Sequence, residues 1–213
     1  MINIHYFTFN GFQENTYVLY DETKECVIID PGCYSSEEEN ILSSFISSQG
    51  LTPVKLLNTH CHIDHVLGNN FVASKYDIDL EMHEKDLPTL HATPEYGHLY
   101  GFHIAVSPDP KTLLNEGDVI EFGHSELEVR FTPGHSAGHI VFIASDDKFV
   151  IAGDVLFYGS IGRTDLPGGD YDTLINSIRS KLLPLSDDFK VYPGHGPVTT
   201  IGFERINNPF LNT

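Results

Sequence analysis

The 213-residue sequence has no tryptophan, two methionines and only three cysteines, Cys26, Cys33 and Cys61. Three unpatterned cysteines cannot build a disulfide framework, and such usage fits a reducing cytoplasm. Positive charge is scarce as well: 12 Lys and Arg stand against 30 Asp and Glu, a formal charge of −18. A surface that negative repels a phosphate backbone, so nucleic acid is not expected as a partner. No apolar run approaches the roughly 18 residues of a membrane span. The opening MINIHYFTFN lacks the basic flank and apolar stretch of a secretory signal. The expected setting is cytoplasmic, away from membranes. Repeats, low-complexity tracts and linkers are missing too, so a single domain over residues 1–213 is expected.

What is present is a globular pattern. TYVLY and CVIID read as strands separated by the polar turn DETKE. A helix follows, capped by Ser35 or Ser36, with Glu37 to Glu39 at its positive end and Gly50 closing it. Ile41, Leu42, Phe45 and Ile46 form its expected buried stripe. VKLLN is a strand, Val66 to Tyr76 a helix and DLEMH a strand, while residues 84–111, with four prolines, read as irregular. DVIEF, LEVRF, HIVFIA and KFVIA read as four more strands. Leu174, Ile175, Ile178 and Leu182 line a helix that Pro184 stops, and FKVY is the last strand. Strands in both halves with helices between them suggest two sheets covered by helices; composition alone leaves a doubly wound parallel sheet open.

Twelve histidines are many for this length, and their placement carries the chemistry. Five times an apolar strand runs into a residue of metal-ligand type: CVIID into Asp30, VKLLNTH into His60, LEVRFTPGH into His135, KFVIAGD into Asp154 and FKVYPGH into His195. Strand ends on a rigid scaffold are where binding groups usually lie. The densest cluster is His60-Cys61-His62-Ile63-Asp64-His65. In an extended segment i, i+2 and i+4 face one way, so His60, His62 and Asp64 can converge; a following helix would turn His65 toward a second point. Imidazoles and carboxylates suit zinc, iron or manganese. Solvated loop histidines have no packing reason to cluster so densely. His135, Asp154 and His195 could each be a turn residue if taken singly, and they gain weight beside the cluster. The thiol of Cys61 should point away from the metal side, and Cys26 should be core. His139 could support a ligand or merely begin a strand. His91, Tyr96, His98 and His103 could line a substrate loop or lie on the surface.

Asp30, THCHIDH, GHSAGH with His135, GD with Asp154 and PGH with His195 resemble the five successive motifs of the metallo-β-lactamase superfamily. The resemblance implies an α/β fold, an αββα sandwich of two mixed sheets flanked by helices. It also implies two divalent metal ions, zinc foremost with iron or manganese as alternatives. His60, His62 and His135 would hold one ion, Asp64, His65 and His195 the other, with Asp154 bridging and Asp30 behind them holding the ligand loop. GDVLFYGSIGRTDLPGGD and PGHGPVTTIGFERINNPF are similar to compact glyoxalase II-like hydrolases (hydroxyacylglutathione hydrolases). Ordinary glyoxalase II carries a C-terminal helical extension that helps hold glutathione, whereas 18 residues follow His195 here. Arg163 matches a basic residue of the glutathione site; alternatively it pairs with Asp165 or Asp170.

The expected function is therefore hydrolysis of a small-molecule thioester by a hydroxide shared between two metals, with Asp64 orienting the nucleophile as well as ligating. A lactonase and a mononuclear-iron persulfide dioxygenase are the enzymatic alternatives. A metal-binding interaction protein is the non-enzymatic one, but structural zinc sites are closed and cysteine-rich, whereas seven ligands leave open positions.

Overall fold

The computed structural model describes residues 1–212. They form two units, residues 1–114 with 121–125, and residues 115–120 with 126–212. In the first, β1 (Asn3–Phe9), β2 (Glu14–Tyr20) and β3 (Glu25–Ile29) are antiparallel neighbours. β4 (Thr52–Leu57), β5 (Leu80–Met82) and β6 (Thr112–Leu113) then continue the sheet in parallel, in the order β1-β2-β3-β4-β5-β6. Helices α1 (Ser36–Gln49), α2 (Ile63–Val66), α3 (Asn69–Tyr76) and α4 (Leu87–Tyr96) fill the connections. Val18, Ile28 and Leu56 from the sheet, with Leu42, Ile46 and Val72 from α1 and α3, belong to one buried cluster.

The second unit contains β8 (Ser125–Phe131), β9 (Ile140–Ala144), β10 (Phe149–Gly153), β13 (Lys190–Pro193) and β14 (Thr199–Thr200). With β7 (Val119–Phe122) at its edge, its sheet runs β14-β13-β10-β9-β8-β7. It is mixed, since β10 and β13 are parallel while β8, β9 and β10 alternate. A small hairpin, β11 (Leu156–Phe157) with β12 (Ser160–Ile161), follows β10. Helix α5 (Tyr171–Ser177) continues into a π-helical turn, Ile178–Leu182, and Leu174, Ile175, Ile178 and Leu182 are all buried, as their spacing requires. Helix α6 (Ile201–Asn207) closes the unit. Two mixed sheets with flanking helices agree with the expected architecture and exclude the single parallel sheet. Among the described residues no helix is long and apolar enough to cross a membrane.

Local signals explain most boundaries. Ser35 and Glu38 make a capping box at the start of α1, and Gly50, at φ 64°, ends it. Three expectations need correction. Ile41 is 45% exposed, because the buried arc of α1 centres on Leu42, Ser43 and Ile46 and leaves Ile41 outside it. The helix expected over Val66 to Tyr76 is two helices, the first beginning earlier, at Ile63. Gly68 separates them: its N–H donates to the Pro31 carbonyl (2.7 Å), and a Cβ there would meet Cys33 Sγ at 2.5 Å. The segment 84–111 is helical over its first part rather than irregular throughout. Pro88 lies in the first turn of α4, where its missing N–H costs nothing. Pro94 lies inside that helix, and the Thr93 hydroxyl donates to the Leu90 carbonyl (2.8 Å), the acceptor Pro94 cannot reach.

Candidate metal centre

In the first unit the donors follow β4. The chain bends at Thr59, and His62, itself extended, is the N-cap of α2, so Asp64 and His65 lie on a helical turn and Asp64 does not continue an alternation from His60 and His62. The ring centroids of His60 and His62 are 4.8 Å apart, those of His60 and His65 4.1 Å, and Asp64 Oδ2 is 3.6 Å from His65 Nε2. Cys61 is fully buried, with Sγ 3.5 Å from Met82 Sδ, pointing its thiol into the core as expected.

Asp30 organises these imidazoles. It sits at φ 49°, a left-handed conformation that Asp tolerates better than most residues. Its Oδ1 accepts the Thr59 N–H (2.7 Å); its Oδ2 accepts the Thr59 hydroxyl (2.6 Å) and faces His65 Nδ1 (3.2 Å). With its proton directed at Asp30, the Thr59 hydroxyl accepts from His60 Nδ1 (3.0 Å). Both rings thus carry their proton on Nδ1 and present a lone pair at Nε2, the tautomer a metal needs. Although Asp30, His60 and His65 have donor atoms within 4.8 Å of one another, Asp30 occupies the Nδ1 side and orients the ligands.

The second unit carries the other three. His135 Nδ1 donates to the Arg163 carbonyl (2.7 Å), which leaves Nε2 with its lone pair. That nitrogen lies 3.5 Å from Asp154 Oδ2, and His195 Nε2 is also 3.5 Å from the same oxygen. A lone-pair nitrogen facing a carboxylate oxygen is repulsive unless a cation lies between them, so the donor set fits metal. His139 supports rather than ligates, because its Nε2 accepts the Asp154 N–H (3.0 Å). Gly162 is required by close approach: a Cβ would strike the Asp154 carbonyl and come within 3.0 Å of His135 Nδ1.

Arg163 is 61% exposed along its side chain and grips Asp165 through Nε (2.7 Å) and Nη2 (2.8 Å). Those hydrogen bonds hold the Asp165 carboxyl down at about 2. Asp170 caps α5 instead, accepting from the Thr173 N–H (2.8 Å). His91 makes an exposed pair with Asp109 (2.7 Å), and His98 is exposed.

Several supporting residues escaped the sequence reading. Asp86, buried, accepts the Cys61 N–H (2.8 Å) and so fixes the link between His60 and His62. Asn10 Nδ2 donates to the Asp64 carbonyl (3.0 Å). Glu14 is fully buried, accepts the Thr16 hydroxyl (2.8 Å) and places Oε1 3.9 Å from His65 Nδ1. Burial pushes its carboxyl well above the usual range, with His65 pulling the other way. A lone Glu opening an otherwise uncharged strand, ENTYVLY, was the available signal for Glu14; Asp86 and Asn10 had none.

Imidazoles and carboxylates at strand ends, with their tautomers set by hydrogen bonds, define a metal-binding α/β protein capable of activating water. The family model described as the metallo-β-lactamase superfamily matches residues 9–195, and the chain belongs to that superfamily of metallo-hydrolases. It is 40% identical over 214 residues to the hydroxyacylglutathione hydrolase GloC of Haemophilus influenzae, covering 100% of this chain and 99% of that protein. Among solved structures it is similar to the BLEG-1 B3 metallo-β-lactamase, with a TM-score of 0.90, 37% identity and full coverage of both chains. It is also similar to TTHA1623 in a di-iron-bound form, with a TM-score of 0.87 and 37% identity, covering 97% of this chain and 100% of that one.

Proposed function

We propose that residues 1–213 act as one hydrolase domain that cleaves a thioester of the hydroxyacylglutathione type at a dinuclear centre. The observation that carries the dinuclear reading is Asp154 Oδ2, 3.5 Å from the Nε2 of both His135 and His195. His60, His62 and His135 would hold one divalent ion and Asp64, His65 and His195 the other, with Asp154 shared between the two. Zinc is the first choice for this donor set, with iron or manganese as alternatives. When bound, such a pair supplies a nucleophile from water near neutral pH and an electrophile for the carbonyl oxygen.

The residues of the chain do the remaining work. Asp30 and the Arg163 carbonyl keep imidazole protons on Nδ1, so that Nε2 stays available. Asp64 orients the attacking water and accepts its proton. The oxygen adds to the acyl carbon, the carbon–sulfur bond breaks, and the departing thiolate takes up the proton, giving a carboxylic acid and a thiol. The Arg163 guanidinium, shared with Asp165, holds a carboxylate of an acidic thiol. The thioester class is supported by the name of the GloC relative.

The test is a hydrolysis screen of metal-loaded protein against thioesters, lactones and phosphodiesters, with elemental analysis alongside. Two metal equivalents and thioester turnover are expected. Lactone turnover without thioester turnover refutes the substrate class, and a fixed content of one ion refutes the dinuclear centre.

A further inference from the structure

Within the first unit an array of aromatic rings borders the Asp64 turn. Phe12 lies on the β1–β2 connection, Tyr34 just before α1, Tyr96 at the end of α4, and Tyr100 and Phe102 on the chain that follows. The rings touch in sequence. Phe12 meets Tyr100 edge-on (5.6 Å) and Phe102 at a tilt (5.8 Å), Tyr34 meets Phe102 edge-on (4.8 Å), and Tyr96 meets Tyr100 (6.1 Å). Yet Phe12, Tyr34 and Tyr100 keep 41%, 37% and 51% of their surface exposed. A single exposed ring is ordinary, whereas rings from three separate segments joined into one open face mark a binding surface.

The array is tied to the metal loop. Asn10, whose Nδ2 donates to the carbonyls of Asp64 and Gly32 (3.0 Å each), accepts the Phe12 N–H on its Oδ1 (2.9 Å). One side chain therefore fixes both the Asp64 turn and the loop presenting Phe12. The Tyr34 hydroxyl accepts the His103 N–H (3.0 Å), holding the segment after Tyr100 in place. Tyr96 is half-buried; burial pushes its hydroxyl up to about 12, and the charges of Tyr100 and Asp64 add to this. These positions are set before any ligand arrives, which favours binding because little side-chain freedom remains to be lost.

We infer that this array is the acyl subsite of the thioester hydrolase and takes an apolar acyl group, aryl or medium-chain alkyl. The inference rests on the thioester reading above, keeping its thioester bond and acidic thiol and replacing its short hydroxyacyl group by an apolar one. Arg163 is there assigned to the acidic thiol, which leaves the acyl half of the substrate for the rings. A lactoyl group offers them one methyl and a hydroxyl, too little apolar surface to use the exposed rings of Phe12, Tyr34 and Tyr100. Each buried CH₂ is worth roughly a factor of four, so several methylenes or a phenyl ring should raise kcat/KM at least about tenfold.

The experiment compares lactoyl and phenylacetyl thioesters of one thiol on metal-loaded protein. The expected kcat/KM is at least about tenfold higher for phenylacetyl, and the ratio of the two values should fall at least about fivefold in Phe12→Ala and Tyr100→Ala. A second readout needs no turnover. The chain has no tryptophan, so Tyr100→Trp places a single tryptophan in the array, one that can be excited beyond the tyrosine absorption. Phenylacetate, the product acid, should change its emission saturably and lactate should not. Equal kcat/KM for the two acyl groups overturns the acyl subsite with the thioester reading intact. Turnover of neither substrate overturns the thioester reading. In that case a saturable response to phenylacetate supports the aromatic array by itself, and its absence overturns that too.

Discussion

Replacing Asp30 by Asn tests the logic of the site with little disturbance of shape. The carboxylate is 1% exposed and meets four donors, the Thr59 N–H (2.7 Å), the Thr59 hydroxyl (2.6 Å), His65 Nδ1 (3.2 Å) and Asn58 Nδ2 (3.4 Å). An amide has one accepting oxygen. Whichever way it turns, its NH₂ confronts either the Thr59 N–H together with the Asn58 amide or the Thr59 hydroxyl together with His65. A hydrogen bond to a charged group contributes about 1.5–3 kcal/mol, and an unpaired buried donor costs about 1–3 kcal/mol. These overlap, so the metal-free protein should lose roughly 2–4 kcal/mol. The backbone is not to blame, since Asn also tolerates the left-handed region that Asp30 occupies at φ 49°. Asp30→Ala adds about 1–2 kcal/mol for that conformation. With the His65 proton no longer held on Nδ1, affinity for the ion at His65 should fall about 10- to 100-fold. Urea unfolding of the metal-free protein measures the first effect, and chelator competition the second. An Asp30→Asn protein within about 0.5 kcal/mol of wild type, with unchanged metal affinity, would show that Asp30 does not set the imidazole tautomers.

Asp154→Ala should disturb both ions and lower activity at least about 10- to 100-fold, whereas His135→Ala should chiefly empty one position; elemental analysis separates them, and wild-type turnover by Asp154→Ala reduces that carboxylate to a turn former. Arg163→Ala should raise KM for an acidic thioester by roughly 10- to 150-fold with kcat unchanged. Its metal content should hold, since His135 rests on the Arg163 carbonyl and not its side chain; equal weakening of an acidic thioester and its neutral amide analogue refutes the anchor. Gly162→Ala forces a Cβ against the Asp154 carbonyl and should destabilise by about 1–3 kcal/mol. Thermal unfolding checks this at about 2–4 °C per kcal/mol, and an unchanged Tm would mean that the loop yields freely.

Much of the architecture was legible because its signals are local. The capping box of Ser35 and Glu38, the end of α1 at Gly50 and the strands that run into Asp30, His135 and Asp154 depend on residues adjacent in the chain. The errors came where tertiary contacts outweigh local pattern. Gly68, held on the Pro31 carbonyl, splits one apparent helix into two. The Thr93 hydroxyl lets α4 run past Pro94 in a stretch whose prolines suggested irregular chain.

The same division runs through the site. Residue types and spacing, read with the family resemblance, pointed to the candidate donors His60, His62, Asp64, His65, His135, Asp154 and His195, because metal-ligating chemistry demands imidazoles and carboxylates and packing does not. Which nitrogen His60, His65 and His135 offer was decided only in three dimensions, by Asp30 just after β3 and Thr59 in the loop after β4, and by the Arg163 carbonyl 28 residues beyond His135. Asp86, behind Cys61, was likewise out of reach of the sequence, and Glu14, behind His65, left as its signal only a lone Glu opening an uncharged strand. Hydrogen bonds of this kind join residues far apart in the chain, and a polar side chain one residue out of place in its pattern looks the same whether it faces solvent or a buried imidazole.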